Sequence, residues 1–335
     1  MIRAEKPVRS AAFYALFRNT HAGKVWFDDL FFGELGSDVN LLKNPGFEPL
    51  PVNPFVLDGA YIDSLEGWST VLNYERRHFA DVTVPLVFDT HTRKPVILTI
   101  FSTYEFAHEL HKRMRARGKL MMANGVLHRF PWFAHLHDVM GTETNWHRNK
   151  TWRPMSDAAL CFVRALCYQK PYCFLMNTHY DDLTFELTER YMKRSLFYGC
   201  FPGMFSEDAS TNPYFGNPKW YNRDRELFRK YVPLTQRIAK AGWEPLTHAT
   251  TDHPKVYVER WGDPKRGEVF LTVLNDSDSE AAFALTVDVK ALGLASAKEL
   301  TDLISGKKLA AESAGDTLRI RGALAREDVW LLSVR

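Results

Sequence analysis

Between residues 55 and 250, short apolar runs alternate with stretches whose apolar residues recur at helical spacing. The apolar runs cover 55–62, 119–124, 133–146, 172–177 and 199–207. Helical patterns at 102–117, 156–167 and 184–198 lie between them. Strands that alternate with helices in this way predict parallel βα units.

Two of the helical stretches carry clear start or stop signals. Ser102 and Glu105 have capping-box spacing, which predicts that a helix begins there with Phe106, Leu110 and Met114 on its apolar face. The last helix before residue 250 has the most regular pattern, formed by Leu227, Tyr231, Leu234, Ile238 and Ala241, with Gly242 at its end.

After residue 250 the apolar period shortens to two. The predicted strands there are 256–261, 268–274, 282–288, 317–321 and 329–334. They predict a small antiparallel β-sandwich. Near the start of the chain, 11–17 and 23–32 predict two further strands, too few for a sandwich of their own. We therefore divide the chain into a sandwich remnant (1–48), a β/α region (49–250) and a C-terminal sandwich (251–335).

The polar residues at the ends of the predicted parallel strands are the candidate chemistry. They are Asp63 and Glu66, Asn124, Asp138 and Glu143, Asn177, and Glu207. Parallel strands followed by helices bring such residues to one rim. Two carboxylates facing each other across a rim are what glycoside hydrolysis requires, because one acts ionised and the other acts as a protonated acid.

Several segments resemble parts of glycoside hydrolases. DGAYIDS (58–64) is similar to the fourth-strand nucleophile region of α-glycosidase-like (β/α)8 barrels, and DVMGTETNW (138–146) resembles a later strand that carries the acid. GKVWFDDLFFGE (23–34) and NLLKNPGFE (40–48) are similar to the closing and opening segments of galactose-binding-like carbohydrate-binding modules. RKYVPLTQRIAKAGWEPLT (229–247) resembles the passage from a last barrel helix into a sandwich.

This resemblance implies an α/β fold, a TIM-type β/α barrel followed by a C-terminal antiparallel β-sandwich. Only five βα strands are visible where a closed barrel needs eight, so we expect a partial or interrupted barrel. We therefore expect either that the chain is a C-terminal fragment of a longer protein or that a sandwich interrupts its barrel. The family likeness implies a secreted or periplasmic parent protein.

The resemblance also implies roles for the polar residues. Asp63 takes the place of the nucleophile, and Glu143 or Asp138 that of the acid/base. Substrate contacts are expected from Glu66, Trp68, Asn124, Trp146, Asn177 and Glu207. The expected partner is an oligosaccharide or polysaccharide, and neither a cofactor nor a metal ion is implied.

Two other function classes stay open at this stage. The sequence His135-Leu-His137 has the spacing of metal ligands on one face of a strand, as in a metal-dependent hydrolase that makes a nucleophilic water. A non-catalytic or degenerate carbohydrate-binding protein is the third class, because the barrel is incomplete.

Composition narrows the choice of partners. The sequence is 45% hydrophobic and 25% charged, as in ordinary globular proteins, and its net charge is +3 with dispersed Lys and Arg, so no nucleic-acid footprint is indicated. No apolar run approaches the length of a membrane span. The four Cys lack CxxC spacing, which argues against a zinc knuckle. Aromatic residues make up 13% of the chain and suit both a core and sugar-ring faces.

Overall fold

The computed structural model describes residues 30, 37–41, 57–65, 67, 70–125, 130–208, 211–294 and 299–334. The chain divides into two compact units, Met1–Leu57 and Asp58–Arg335. The strands predicted before residue 48 lie outside the described residues, apart from 30 and 37–41, and so do Glu66 and Trp68. The boundaries after residues 48 and 250 stay predictions.

The described part of the second unit begins with strands and helices in alternation. Its strands are β1 (Gly59–Ile62), β2 (Leu72–Asn73), β3 (Val87–Asp89), β4 (Lys94–Leu98), β5 (Leu120–Asn124), β6 (Val139–Thr144), β7 (His147–Arg148), β8 (Thr151–Trp152), β9 (Tyr172–Met176) and β10 (Phe201–Met204). Its helices are α1 (Thr99–Ala116), α2 (Asp157–Cys167), α3 (Phe185–Phe197) and α4 (Pro218–Ala241). Short 3-10 helices cover Arg76–Ala80, Pro131–Leu136 and Tyr214–Gly216.

A parallel sheet forms the centre of this region. Its strand order is β1-β5-β6-β9-β10, with every neighbouring pair parallel. Spatial order therefore equals chain order, which is the winding of a barrel wall and differs from the reversing order of a doubly wound sheet. Among the described residues the sheet has five strands and does not close on itself.

The two faces of the parallel sheet differ in burial. One face is mostly buried, and its fully buried side chains include Met121, Ala123, Met140, Phe174 and Met176. Ile100 and Ala107 of α1 and Leu160 of α2 belong to the same core cluster. The opposite face carries Tyr61, Met122, Glu143, Leu175 and Phe201, all at least partly exposed. The sheet therefore has one helix-covered face and one accessible face.

Local signals explain where three of the helices begin and end. Ser156 and Thr184 accept hydrogen bonds from the backbone N–H groups of Ala159 and Leu187, each over 3.3 Å, and thereby cap α2 and α3. The predicted starts of both helices are confirmed. The predicted end of α4 is also confirmed, because Gly242 follows its last residue with φ 89°.

The predicted start of α1 is wrong. The helix begins at Thr99, directly after β4, with Leu98 at the N-cap and no side-chain cap. Phe106 is 59% exposed, whereas Ile100 and Ala107 are buried. The capping-box spacing of Ser102 and Glu105 was therefore coincidental, because both residues lie inside the first two turns of the helix.

The C-terminal part of the chain is antiparallel. Its strands are β11 (Trp243–Glu244), β12 (Ala249–Thr251), β13 (Val256–Trp261), β14 (Val269–Asn275), β15 (Ala281–Asp288), β16 (Leu300–Asp302), β17 (Lys308–Leu309), β18 (Glu312–Ala314), β19 (Thr317–Leu324) and β20 (Val329–Val334). They form a sheet of order β11-β13-β14-β20-β16-β17 and another of order β12-β15-β19-β18. Leu271 and Val273 from the first sheet and Leu285 and Ile320 from the second belong to one buried cluster.

The fold is thus mixed α/β, with one parallel sheet and antiparallel sheets. Helices α3 and α4 connect the two regions, because Met192, Tyr231 and Ile238 pack with Phe270 of the six-stranded sheet. Two small antiparallel sheets, β2-β4-β3 and β7-β8, complete the described topology. No helix in the described ranges is both long and apolar enough to cross a bilayer.

Candidate active site

Asp63 lies just beyond the carboxyl end of β1, where two donors hold one oxygen of its carboxylate. Asn124, the last residue of β5, donates from Nδ2 to Asp63 Oδ1 over 2.9 Å, and the Tyr61 hydroxyl donates to the same oxygen over 3.1 Å. The strands are in register with Ile62 opposite Ala123, which places Asp63 level with Asn124. Two parallel strands thus bring three polar side chains together at one edge.

The turn after Asp63 is conformationally strained. Ser64 adopts φ 48°, in the left-handed region that costs a residue with a side chain about 1–3 kcal/mol. Backbone hydrogen bonds hold the turn, from Leu65 N–H to the Asn124 carbonyl over 3.1 Å and from Gly67 N–H to the Ser64 carbonyl over 2.8 Å. The strained turn fixes the position of Asp63 at the sheet edge.

Glu143 extends from β6 on the same side of the sheet as Asp63. Asn124 lies opposite Gly141, so Glu143 is two residues further along the neighbouring strand. Since strands lie about 4.8 Å apart and each residue advances about 3.3 Å, the Cα atoms of Asp63 and Glu143 are on the order of 11–12 Å apart. One strand, β5 with Asn124 at its end, lies between the strands that carry Asp63 and Glu143.

The surroundings of the two carboxyl groups move their pKa values in opposite directions. The hydrogen bond from Asn124 lowers the pKa of Asp63 against the opposing effect of burial, and the Tyr61 hydroxyl lowers it further. Burial raises the pKa of Glu143, and the charge of Asp63 raises it again. Asp63 is therefore biased towards the ionised form and Glu143 towards the acid.

The accessible face of the sheet below this pair carries apolar side chains. Met122 and Leu175 are only partly buried there. A Cβ atom added at Gly141 would lie 2.7 Å from the Cys173 carbonyl oxygen and 3.1 Å from Met122 Cε, so this buried position has no room for a side chain. An apolar surface with a few polar groups at its edge is the usual composition of a small-molecule site.

Asn177 and Glu207 lie at the same edge, after β9 and β10. Asn177 Oδ1 accepts from the Ser206 N–H over 3.3 Å. Glu207 pairs with His179 Nδ1 at 3.3 Å and accepts from Asn212 Nδ2 over 2.6 Å. Both predicted residues are thus placed at the predicted edge, and their polar atoms are already engaged by neighbouring loops.

The structure does not bring Asp138 to this site. Asp138 precedes β6, so it lies at the amino end of the strand, opposite to the end that carries Glu143. Its carboxylate accepts hydrogen bonds from Arg115 and from the Met121 N–H. The expectation that Asp138 could act as the acid is corrected, because the residue joins α1 to the start of the parallel sheet.

Trp146 is a core residue, which corrects its expected role as a sugar contact. Its side chain is 1% exposed, and its ring lies 5.0 Å from Tyr191 and 5.3 Å from Phe174 between centroids. Nε1 is buried without a hydrogen-bond partner among the described residues. A ring enclosed in this way has no face left for a ligand.

Replacing Trp146 by Phe is expected to lower the free energy of unfolding by about 1–2 kcal/mol through the cavity it leaves, while activity is unchanged. Denaturant unfolding and Michaelis kinetics check this together. Trp132→Phe is the control, because Trp132 is 37% exposed and its replacement should cost less stability. A raised KM with unchanged stability would contradict the core assignment.

His135 and His137 do not lie on a strand. The apolar stretch around them forms a 3-10 helix from Pro131 to Leu136, so the expected strand geometry is wrong. His137 is fully buried with Nδ1 2.9 Å from the Phe133 carbonyl oxygen, and His135 Nδ1 contacts the Trp132 carbonyl oxygen. In the described ranges no three His, Cys, Asp or Glu side chains are grouped to hold a metal ion.

Burial of His137 predicts that the protein loses stability in mild acid. Burial lowers the pKa of His137, so the folded state stays neutral while the unfolded chain takes up a proton below about pH 6.5. Unfolding free energy should therefore fall from pH 7.5 to pH 5.5, with a slope of up to about 1.4 kcal/mol per pH unit. His137→Gln should flatten this slope in denaturant titrations, whereas the exposed-site control His91→Gln should leave it unchanged.

Tyr61 is a site residue whose sequence pattern predicts only a place in a strand. Burial raises its pKa, and the charge and hydrogen bond of Asp63 raise it further, so the hydroxyl stays protonated as a donor. The available signal was the strand period, since residues two apart share a face and Tyr61 is two residues before Asp63.

The sequence matches no family profile and no curated protein. Among solved structures, a noncanonic maltogenic alpha-amylase from Thermotoga neapolitana has a TM-score of 0.44 at 13% identity, covering 68% of this chain and 58% of that chain. AmyP in complex with maltotriose has a TM-score of 0.44 at 10% identity, covering 83% and 64%. Xyn30A, a glycoside hydrolase family 30 subfamily 8 xylanase from Clostridium acetobutylicum, has a TM-score of 0.38 at 11% identity, covering 69% and 59%.

This chain therefore spans less than two thirds of each of these structures. The neighbours include glycoside hydrolases by name. All three TM-scores are below 0.5, so the likeness is loose.

Proposed function

We propose that this protein is a glycoside hydrolase in which Asp63 acts ionised, as nucleophile or base, and Glu143 acts as the acid. The observation that carries the proposal is the opposed environment of the two carboxyl groups. Asn124 and Tyr61 donate hydrogen bonds to Asp63, whereas burial and the charge of Asp63 favour the protonated form of Glu143. Two carboxyl groups whose pKa values are pushed apart are a recurring acid/base arrangement.

The two residues supply every group that the reaction needs. As a nucleophile, Asp63 forms a bond to the anomeric carbon while the glycosidic C–O bond breaks and Glu143 gives its proton to the leaving oxygen. Glu143 then removes a proton from water, which attacks the same carbon and releases Asp63. As a base, Asp63 instead takes the proton of an attacking water while Glu143 protonates the leaving oxygen. Neither route calls for a cofactor.

We infer an oligosaccharide or polysaccharide substrate, bound along the edge of a partial β/α barrel that a C-terminal sandwich follows. The edge continues past the proposed pair to Asn177 and Glu207, which supports a site longer than one sugar. Asn124 supports catalysis indirectly, because it donates a hydrogen bond to the carboxylate of Asp63. Glu66 and Trp68 stay expected substrate contacts.

The test is a parallel screen for hydrolysis and for binding. Purified protein is incubated with a panel of aryl glycosides of different sugars and both anomers, and release of the aryl alcohol is measured. Calorimetric titrations with the corresponding sugars measure binding. Proton NMR of the first product formed distinguishes the nucleophile role of Asp63 from the base role.

Turnover of at least one glycoside, with a bell-shaped dependence on pH, is the expected result. Sugar binding without turnover would replace the proposal by a carbohydrate-binding function. Turnover that a chelator abolishes would favour a metal-dependent hydrolase over the proposed pair of carboxyl groups.

A further inference from the structure

We propose that Tyr61 is a positioning residue which, together with Asn124, holds Asp63 Oδ1 and leaves Oδ2 as the oxygen that reacts. This inference rests on the proposed function for the meaning of the reacting oxygen. The arrangement of Tyr61, Asn124 and Asp63 is given by their hydrogen-bond distances and does not depend on that function.

The two oxygens of Asp63 have different surroundings. Oδ1 accepts from Asn124 Nδ2 over 2.9 Å and from the Tyr61 hydroxyl over 3.1 Å. Within the described part of the chain, the contact of Oδ2 is the Ser64 hydroxyl at 3.5 Å, at the limit of a hydrogen bond. The Ser64 backbone N–H also favours the charged carboxylate. An oxygen with two close donors is a poor nucleophile, whereas Oδ2 keeps lone pairs available.

The donors come from two different strands, which fixes the plane of the carboxylate. Tyr61 lies on β1 and Asn124 ends β5, so rotation of the Asp63 side chain would break hydrogen bonds to both. Asn124 is 6% exposed and cannot turn to another partner easily. Tyr61 is 50% exposed, so loss of its hydroxyl removes a contact without emptying a core.

Among the residues that the structure describes, the titratable groups around Asp63 are Tyr61 on β1 and Glu143 on β6, and β5 contributes the amide of Asn124. Tyr61 also feels the charge of Glu143. The hydroxyl therefore lies near both carboxyl groups, and its contribution is to favour charge on Asp63.

The test compares wild type with Tyr61→Phe by two readouts. Carbon-13 NMR of labelled aspartate follows the titration of Asp63 directly, and the pH dependence of kcat follows its effect on turnover. We expect Asp63 to become a weaker acid, the acidic limb of kcat to move to higher pH, and kcat to fall on the order of 10-fold with little change in KM. Adding Asn124→Ala should extend the NMR shift in the same direction.

Tyr74→Phe is the matched control, because the Tyr74 hydroxyl donates to Asp89 Oδ2 over 2.7 Å on another sheet. It removes the same kind of hydrogen bond and should leave both readouts of Asp63 unchanged. An unchanged Asp63 titration in a folded Tyr61→Phe protein, or an equal shift in the control, would overturn the inference. A shifted Asp63 titration in a protein that shows no turnover would support the role of Tyr61 and reject the proposed hydrolase function.

Discussion

Replacing Asp63 by Asn is expected to lower turnover of an aryl glycoside by about 10³-fold or more while sugar binding persists. The amide has the shape of the carboxylate but carries no charge, so it can neither attack an anomeric carbon nor take a proton from water. Asn124 and Tyr61 remain in place to define the site. Initial rates and calorimetric binding constants of the variant against wild type measure the two effects separately.

Asp58→Asn is the matched control for this variant. Asp58 is exposed and immediately precedes β1, so it lies at the other end of the strand that carries Asp63. Its replacement should leave turnover within about two-fold of wild type, as for a surface change away from the site. A similar loss in both variants would indicate a fold effect, and full activity of Asp63→Asn would remove Asp63 from the mechanism.

The same variant also tests the coupling of the two carboxyl groups. The charge of Asp63 is one cause of the raised pKa of Glu143. Removing that charge should therefore lower the pKa of Glu143 towards its ordinary value, which carbon-13 NMR of labelled glutamate can follow. Because the charge of Asp63 favours the protonated form of Glu143, the ionised role of Asp63 and the acid role of Glu143 depend on each other.

The sequence was most informative where a strand ends. Asp63 and Asn124 both follow short apolar runs, and the parallel register of β1 and β5 then places them side by side. The position of Glu143 follows once its segment is assigned to a strand and its side chain to the same face of the sheet as Asp63. These positions follow from the two-residue period of a strand, which is local in sequence, and from the common direction of strands that alternate with helices.

Asp138 and Trp146 were misjudged for a different reason. The apolar stretch 133–136 was taken as part of a strand, but Pro131 begins a 3-10 helix there and the strand begins only at Val139. That shift moves Asp138 to the opposite end of the strand. Trp146 lies just beyond a strand end, and sequence position there does not reveal that Tyr191 and Phe174 enclose its ring.

Tyr61 illustrates what only three-dimensional contacts reveal. Its aromatic ring fits a strand pattern, and the two-residue period places it on the face of Asp63, but the sequence does not show that its hydroxyl donates to that carboxylate. The contact becomes visible when the partly exposed face of the sheet and the 3.1 Å distance are known. The start of α1 depended on tertiary context in a similar way, because β4 leads directly into the helix at Thr99.

Replacing Glu143 by Gln is expected to reduce hydrolysis of glycosides with poor leaving groups by about 10²- to 10⁴-fold. Substrates with an activated aryl leaving group should lose much less, because departure of a stable phenolate needs little protonation. Wild-type activity should fall at low pH as Asp63 becomes protonated, and at high pH as Glu143 loses its proton. The second fall should lie above the ordinary glutamate pKa of 4.5, since burial and the charge of Asp63 raise the pKa of Glu143.

The alkaline limb of the pH profile should disappear in Glu143→Gln, because the amide has no proton to lose in this range. Stopped assays with one activated and one unactivated glycoside across the pH range measure both effects. Glu280→Gln is the control, since Glu280 is exposed in the turn before β15 and should leave both the profile and the leaving-group dependence unchanged. An equal loss on both substrates, with the alkaline limb retained, would mean that another group protonates the leaving oxygen and that Glu143 acts only by its charge.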